Sequence, residues 1–198
     1  RHVAASCTSH SASVVQRPLH VPPSCSSTSD LPRTLADAGL RLLRHFITDD
    51  EEAAILAALD DEPWDTTIHR RTQHYGARFD YARKRHAHDA IAPTLPEWLR
   101  WLCSRLDEAA LVPWGGDADQ VTVQEYKPGH GSSAHVDTHS AFEDGIVAIS
   151  LGSGCVMRMS RTHRAAAYSS VPPRSVLAFV GESRYAWLHQ IAMRKTDV

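Results

Sequence analysis

The chain has 198 residues with 21 basic and 23 acidic side chains, a formal net charge of −2. That length suits one domain with a sizeable core, the balanced charge leaves any nucleic-acid role to local patches, and no apolar run is long enough to span a bilayer. Cys7, Cys25, Cys103 and Cys155 form no Cys-x-x-Cys pair, which speaks against a zinc knuckle or disulfide scaffold and for a reducing, cytoplasmic or nuclear compartment.

Residues 1–34 are rich in Ser, His and Pro and show no periodicity. The sequence predicts a disordered leader there and a folded domain over residues 35–198. His2, His10 and His20 belong to a solvated tail on this reading. Leu40–Phe46 reads as a short strand or extended entry. Thr48 and Glu51 form a capping box, and the helix that follows runs to about Asp60, burying Ile55, Leu56 and Leu59. Pro63 ends it, and Trp64 packs on the core.

The most basic stretch is Arg70–Arg85, where Arg70, Arg71, Arg78, Arg83, Lys84 and Arg85 interleave with Tyr75, Phe79 and Tyr81. Cations position phosphates and aromatic faces stack on bases, so this stretch is the candidate for RNA contact. A solvated hairpin with a half-buried aromatic face is the plainer reading of the same residues. A second helix is predicted from about Pro96 to Ala110, with Thr94 and Glu97 as its capping box. Leu95, Trp98, Leu99, Leu102 and Leu106 recur at helical spacing and form its buried stripe.

From Val121 the period becomes that of strands. They are predicted at Val121–Tyr126, Ala134–Asp137, Ile146–Leu151, Cys155–Ser160, Ala165–Ser169, Ser175–Val180 and Tyr185–His189, separated by Gly and Pro turns. Many short strands with regular turns imply a barrel or jelly roll.

His135 and Asp137 are two apart, so a strand points both the same way. With His189 as a third ligand they make two histidines and a carboxylate on one face of a metal. That is the arrangement of non-haem Fe(II) oxygenases, which keep the opposite positions open. His139, two beyond Asp137, is a rival ligand, and a His-x-Asp-x-His zinc site remains an alternative on spacing alone. His130 and His163 read as loop residues.

Longer words surround these ligands: Val121-Thr122-Val123-Gln124-Glu125-Tyr126, His135-Val136-Asp137-Thr138-His139-Ser140, Pro173-Arg174-Ser175-Val176-Leu177 and Gly181-Glu182-Ser183-Arg184-Tyr185-Ala186-Trp187-Leu188-His189. Arg70-Arg71-Thr72-Gln73-His74-Tyr75-Gly76 precedes them and Arg194-Lys195-Thr196-Asp197 closes the series. In this order the words resemble the AlkB family of Fe(II)/2-oxoglutarate dioxygenases, nearest the eukaryotic branch that hydroxylates a modified wobble uridine in tRNA. The resemblance covers about Leu40 to Val198.

The resemblance implies an α+β fold, a double-stranded β-helix (jelly roll) with outer helices. It implies Fe(II) held by His135, Asp137 and His189, with 2-oxoglutarate as co-substrate contacted by Tyr126 and Gln124. Gln124 stands where the family carries asparagine. It implies a nucleotide-recognition lid with Arg70, Arg71, His74, Tyr75, Arg78 and Tyr81 as substrate-binding residues. Hydroxylation of a 5-methoxycarbonylmethyl-type uridine in tRNA is the expected reaction, with an RNA-binding or methyltransferase partner and no membrane. Oxidative demethylation of alkylated nucleic acid or protein, and an inactive RNA-binding module, are the alternatives. The family's carboxylate anchor is an Arg-x-x-x-x-x-Arg strand after the distal histidine. The chain stops at Val198 before such a strand, so a fragment lacking its C-terminal strands is expected. Arg184 and Arg194 are expected to make structural salt bridges.

Overall fold

The computed structural model describes residues 1–8, 31–76, 79–80, 85–86, 95–113, 118–139, 142 and 144–196. In chain order the elements are β1 (His2–Thr8), α1 (Arg33–Asp37), β2 (Leu40–Leu43), α2 (Asp49–Asp61) and β3 (Thr72–Gly76). The short pair β4 (Phe79–Asp80) and β5 (Arg85–His86) follows, then α3 (Glu97–Ala109) and β6 (Gln120–Tyr126). The chain continues with β7 (Ile146–Gly152), β8 (Cys155–Ser160), β9 (Ala167–Val171), β10 (Ser175–Phe179), α4 (Glu182–Tyr185) and β11 (Leu188–Ile191).

Six strands form one antiparallel sheet in the order β2-β10-β7-β1-β6-β3, and three form a second in the order β11-β8-β9. Strand alternation gives the large sheet two apolar faces. Val121, Val123, Val147, Ile149, Val176 and Ala178 point to a core shared with α2 and α3. Leu177 and Phe179 point the other way, to a second core with Met157, Met159 and Trp187. The result is the predicted jelly roll with outer helices, and the space between its sheets holds the candidate site.

The helices follow their local chemistry. Thr48 and Glu51 make both bonds of the capping box, Thr48 N–H donating to Glu51 Oε2 at 2.7 Å and Glu51 N–H to Thr48 Oγ1 at 3.2 Å. α3 begins after Pro96, buries Leu99, Leu102, Cys103 and Leu106, and closes on Ala110 in the left-handed region. Thr94 lies outside the described residues. Cys7, Cys103 and Cys155 are buried and in no disulfide, and no helix among the described residues is long and apolar enough to cross a membrane.

Three expectations are corrected. His2–Thr8 is no part of a disordered leader: it is an inner strand, paired with β6 on one side and β7 on the other. Val3, Ala5 and Cys7 alternate into the helix-side core, a period-2 signal that the surrounding Ser/His/Pro composition obscured. The predicted strand Tyr185–His189 is instead a helical turn, α4, followed by β11. Ser183 Oγ accepts from Val180 N–H and donates to the Val180 carbonyl, which turns the chain before a strand can start. Ala134–Asp137 is reduced to a single bridge at His135.

The inner position of β1 is tested by hydrogen exchange. Amides of Val3, Ala5 and Cys7 should be as protected as those of β6, whereas a solvated leader would exchange freely. Val3→Asp places a charge in the core and should lower stability by about 3 kcal/mol or more, read from the denaturant midpoint.

Candidate metal centre

The site starts from one strand-like bridge. His135 N–H donates to the His189 carbonyl at 3.2 Å, and His189 N–H returns to the His135 carbonyl at 2.9 Å. This reciprocal pair sets the two imidazole rings 4.3 Å apart between centroids. Asp137 lies between them, with Oδ1 3.6 Å from His135 Nε2 and Oδ2 3.6 Å from His189 Nε2. One ligand atom from each residue lies within 4.8 Å of the others.

The donors suit a metal. His135 Nδ1 lies 2.8 Å from the Ser133 carbonyl, which holds the proton on that nitrogen and leaves Nε2 as the lone pair. Burial pushes the His189 pKa down to about 4, against the opposing field of Asp137, so its imidazole is neutral at physiological pH. Two imidazole nitrogens and a carboxylate on one side of a point, with open space beyond, form a facial triad. His139 is exposed, lies outside this cluster, and meets Tyr185 edge-on with ring centroids 5.3 Å apart.

Arg184 fixes the carboxylate ligand from behind. It is 2 % exposed, and its guanidinium donates to the Asp137 carbonyl at 2.9 Å and the Thr138 carbonyl at 3.0 Å. Arg184 lies in the turn of α4 just before the place where a strand was predicted, and among the described residues the salt bridge expected of it is replaced by two bonds to main-chain carbonyls.

Two cavities meet at the triad. One of about 90 Å³ brings His135, Asp137 and His189 together with Arg70, Gln124 and Tyr126. The other, an open groove of about 580 Å³, shares His135 and Asp137 and extends along Ile68, His74, Thr138 and Phe142. Gln124 Oε1 accepts from Tyr126 Oη at 2.8 Å and from Arg70 Nε at 2.6 Å. Burial raises the Tyr126 pKa, so its phenol stays protonated and able to donate. Ala4 and Ser6 of β1 also line the small cavity, a contribution that reading the first residues as a leader left out.

The candidate substrate residues separate by alternation. Arg70 and His74 line the groove. Arg71 and Tyr75 are turned to the helix side and are corrected to structural roles. Arg71 holds Glu125 through two bonds of 2.6 and 2.8 Å, with its guanidinium carbon 4.2 Å from the Trp64 ring centroid. Tyr75 packs edge-on against Trp98 with ring centroids 5.7 Å apart. Arg78 and Tyr81 lie outside the described residues. Arg194 borders a different cavity with Lys127 and His130.

A family model described as the 2OG-Fe(II) oxygenase superfamily matches residues 39–198. The chain belongs to this superfamily. Its members use Fe(II) and 2-oxoglutarate, and the triad described above fits that metal. Bound at His135, Asp137 and His189, Fe(II) would supply the oxidising chemistry, and the domain is accordingly a 2-oxoglutarate-dependent dioxygenase. The sequence is 36% identical over 168 residues to alkbh8 of Xenopus tropicalis, a tRNA (carboxymethyluridine(34)-5-O)-methyltransferase, covering 81% of this chain and 26% of the relative. It is 36% identical over 194 residues to the alkylated DNA repair protein ALKBH8 homologue of Arabidopsis thaliana, covering 87% of this chain and 56% of the relative. The chain thus spans from about a quarter to about half of these relatives. The solved structure of OsALKBH1 superposes with a TM-score of 0.61 at 17% identity, covering 79% of this chain and 85% of that one, a likeness of fold.

Two outcomes are expected. Arg184→Met leaves the Asp137 and Thr138 carbonyls without their donor and should weaken Fe(II) binding by roughly tenfold or more, with Arg184→Lys recovering part. Anaerobic metal titration, alongside thermal unfolding of the apoprotein, separates this from a loss of fold. Arg71→Met should lower stability by about 2 kcal/mol at neutral pH. The Arg71 hydrogen bond is the main cause holding the Glu125 carboxyl below its ordinary value. Its contribution is present above the unfolded value of roughly 4.3 and is lost as pH falls through the lower folded value. Denaturant midpoints of wild type and variant should therefore converge in acid.

Proposed function

We propose that this domain hydroxylates a modified nucleobase, a 5-methoxycarbonylmethyl-type wobble uridine in tRNA. The observation that carries the reading is the 36% identity to alkbh8 of Xenopus tropicalis across 81% of this chain. The groove of about 580 Å³ that opens onto the triad lies within the range of small-molecule sites, roughly 300–1,000 Å³. It is large enough for a nucleoside.

In this reading the chain's own residues position and exclude. Ile68 and Phe142 offer apolar walls to a base, while His74, Thr122 and Thr138 offer polar edges. His74 Nδ1 lies 3.2 Å from Thr122 Oγ1, which orients the ring on the groove wall. Iron and 2-oxoglutarate, when bound, supply the oxidising power: one oxygen atom of O₂ enters the substrate C–H bond and the other leaves in succinate, with loss of CO₂. His135, Asp137 and His189 would hold the metal from one side, and the groove on the other side would receive the target methylene. RNA is the partner this reading requires, with an RNA-binding or methyltransferase protein as a further one.

A second reading, oxidative demethylation of alkylated nucleic acid, is favoured by the likeness to the Arabidopsis thaliana relative, which is named an alkylated DNA repair protein. Product mass separates the two. With tRNA bearing the modified uridine, Fe(II) and 2-oxoglutarate, the nucleoside should gain one oxygen atom, and Asp137→Ala should abolish the gain. Formaldehyde release from methylated bases without that gain would favour demethylation. Undiminished turnover in Asp137→Ala would remove the ligand assignment.

A further inference from the structure

Two buried polar atoms on the groove wall stand without a partner. Among the described residues Thr8 Oγ1 and Gln120 Oε1 make no hydrogen bond, although Thr8 is only 6 % and Gln120 5 % exposed. Both residues line the groove, and neither lines the small cavity at the metal. They are neighbours, because the pairing of β1 with β6 sets Thr8 opposite Gln120. Buried polar atoms are nearly always paired, so atoms in this state on a groove wall are matched by what the groove receives.

Alternation fixes where they lie. Gln120, Thr122 and Gln124 share the groove face of β6, while Val121 and Val123 point to the helix-side core. Pairing with β1 and β3 sets three rows across the strands: Gln124 with Ala4 and Thr72, Thr122 with Ser6 and His74, and Gln120 with Thr8 and Gly76. The first row meets the small cavity through Gln124 and Ala4. The third lies about 13 Å further along the strand, at roughly 3.3 Å per residue. That row carries no charged side chain, so it suits a neutral polar edge rather than a phosphate.

The two atoms define the edge. Gln120 Oε1 only accepts, whereas a threonine hydroxyl rotates to donate or accept. An N–H beside a carbonyl satisfies both. Uracil carries that pair at N3–H and O2. O2 lies opposite C5 across the ring, with N3–H beside it. A uracil whose C5 substituent points at the metal therefore turns this edge toward the third row. Cytosine presents a lone pair at N3, which would face Gln120 Oε1 acceptor to acceptor.

We infer that Gln120 and Thr8 select the base: Gln120 Oε1 accepts from uracil N3–H, and the Thr8 hydroxyl donates to O2. The inference rests on the proposed hydroxylation of a C5-substituted uridine and adds the residues that tell uracil from cytosine.

The test uses the full chain with Fe(II), 2-oxoglutarate and two anticodon stem-loops that differ at one base, 5-methoxycarbonylmethyluridine or its cytidine counterpart. Oxygen gain by that nucleoside gives kcat/KM. Wild type should prefer the uridine by roughly ten- to a hundredfold. Gln120→Leu should remove most of that preference by lowering kcat/KM for the uridine and not for the cytidine. Thr8→Val should lower both by roughly tenfold, because both bases carry O2, and Thr8→Ser should keep most of the wild-type rate. The visible charge-transfer band formed with Fe(II) and 2-oxoglutarate in the absence of oxygen should titrate as in wild type for each variant, which separates these effects from a loss of fold. Equal weakening of both substrates in Gln120→Leu would show that Gln120 only shapes the groove, and would overturn the assignment. So would an undiminished preference. Equal wild-type turnover of uridine and cytidine, a comparison that needs no variant, would overturn base selection and leave the proposed hydroxylation standing. Formaldehyde release from methylated bases, with no oxygen gain on the uridine, would overturn both.

Discussion

The centre of this molecule depends on two main-chain hydrogen bonds between His135 and His189. The residues are far apart in sequence, and neither belongs to a long regular strand at that point. Their reciprocal bonding makes one ligand's backbone the template for the other's. Asp137 then needs only to be held at the right distance, and Arg184 does so through the Asp137 and Thr138 carbonyls. Donating to main chain rather than to the carboxylate leaves the carboxylate oxygens available to a metal.

The same separation of duties runs along the neighbouring strands. Alternation sends Arg70 and Gln124 to the cavity and Arg71 and Glu125 to the helix side. Adjacent residues of the same type thus have opposite uses. Arg71 is neutralised by a buried carboxylate and stacks on Trp64, which stabilises the fold. Among the described residues Arg70 hydrogen-bonds only neutral groups. A one-residue register slip of β3 would exchange these roles, so the pairing of Thr72 with Gln124 protects both the fold and the site.

Much of this was legible in the sequence. The His-x-Asp pair and the late histidine gave the triad's members, because ligand chemistry restricts residue types strongly. The short strands and regular turns left a barrel or a jelly roll, the family resemblance chose the jelly roll, and α2 followed from its capping box. What was illegible has a physical cause in each case. The strand Val3-Ala4-Ala5-Ser6-Cys7 uses small side chains in a polar surrounding, so its alternation carries little hydrophobic signal. The bonding of Arg184 to main-chain carbonyls was not foreseen because a four-residue helix, set by Ser183, replaces the start of the predicted strand before His189. The split between Arg71 and Arg70 could have been read from period two alone, had β3 been given a register. Tyr75 was misplaced for the same reason.

The position of β1 has a consequence for how the molecule comes together. His2 pairs with Gly152 and Tyr126 at once, so the sheet closes only when segments more than a hundred residues apart meet. Contacts of that range are slow to form, because loop closure precedes any gain from pairing. Ala4 and Ser6 are part of the small cavity's wall, which makes that cavity a product of the most distant pairing in the sheet rather than of any local segment. A chain with β8–β9 and β8–β11 already paired, but β1 still free, would have its metal ligands near one another and no enclosed chamber beside them. Enclosure of the reactive centre is thereby tied to completion of the fold.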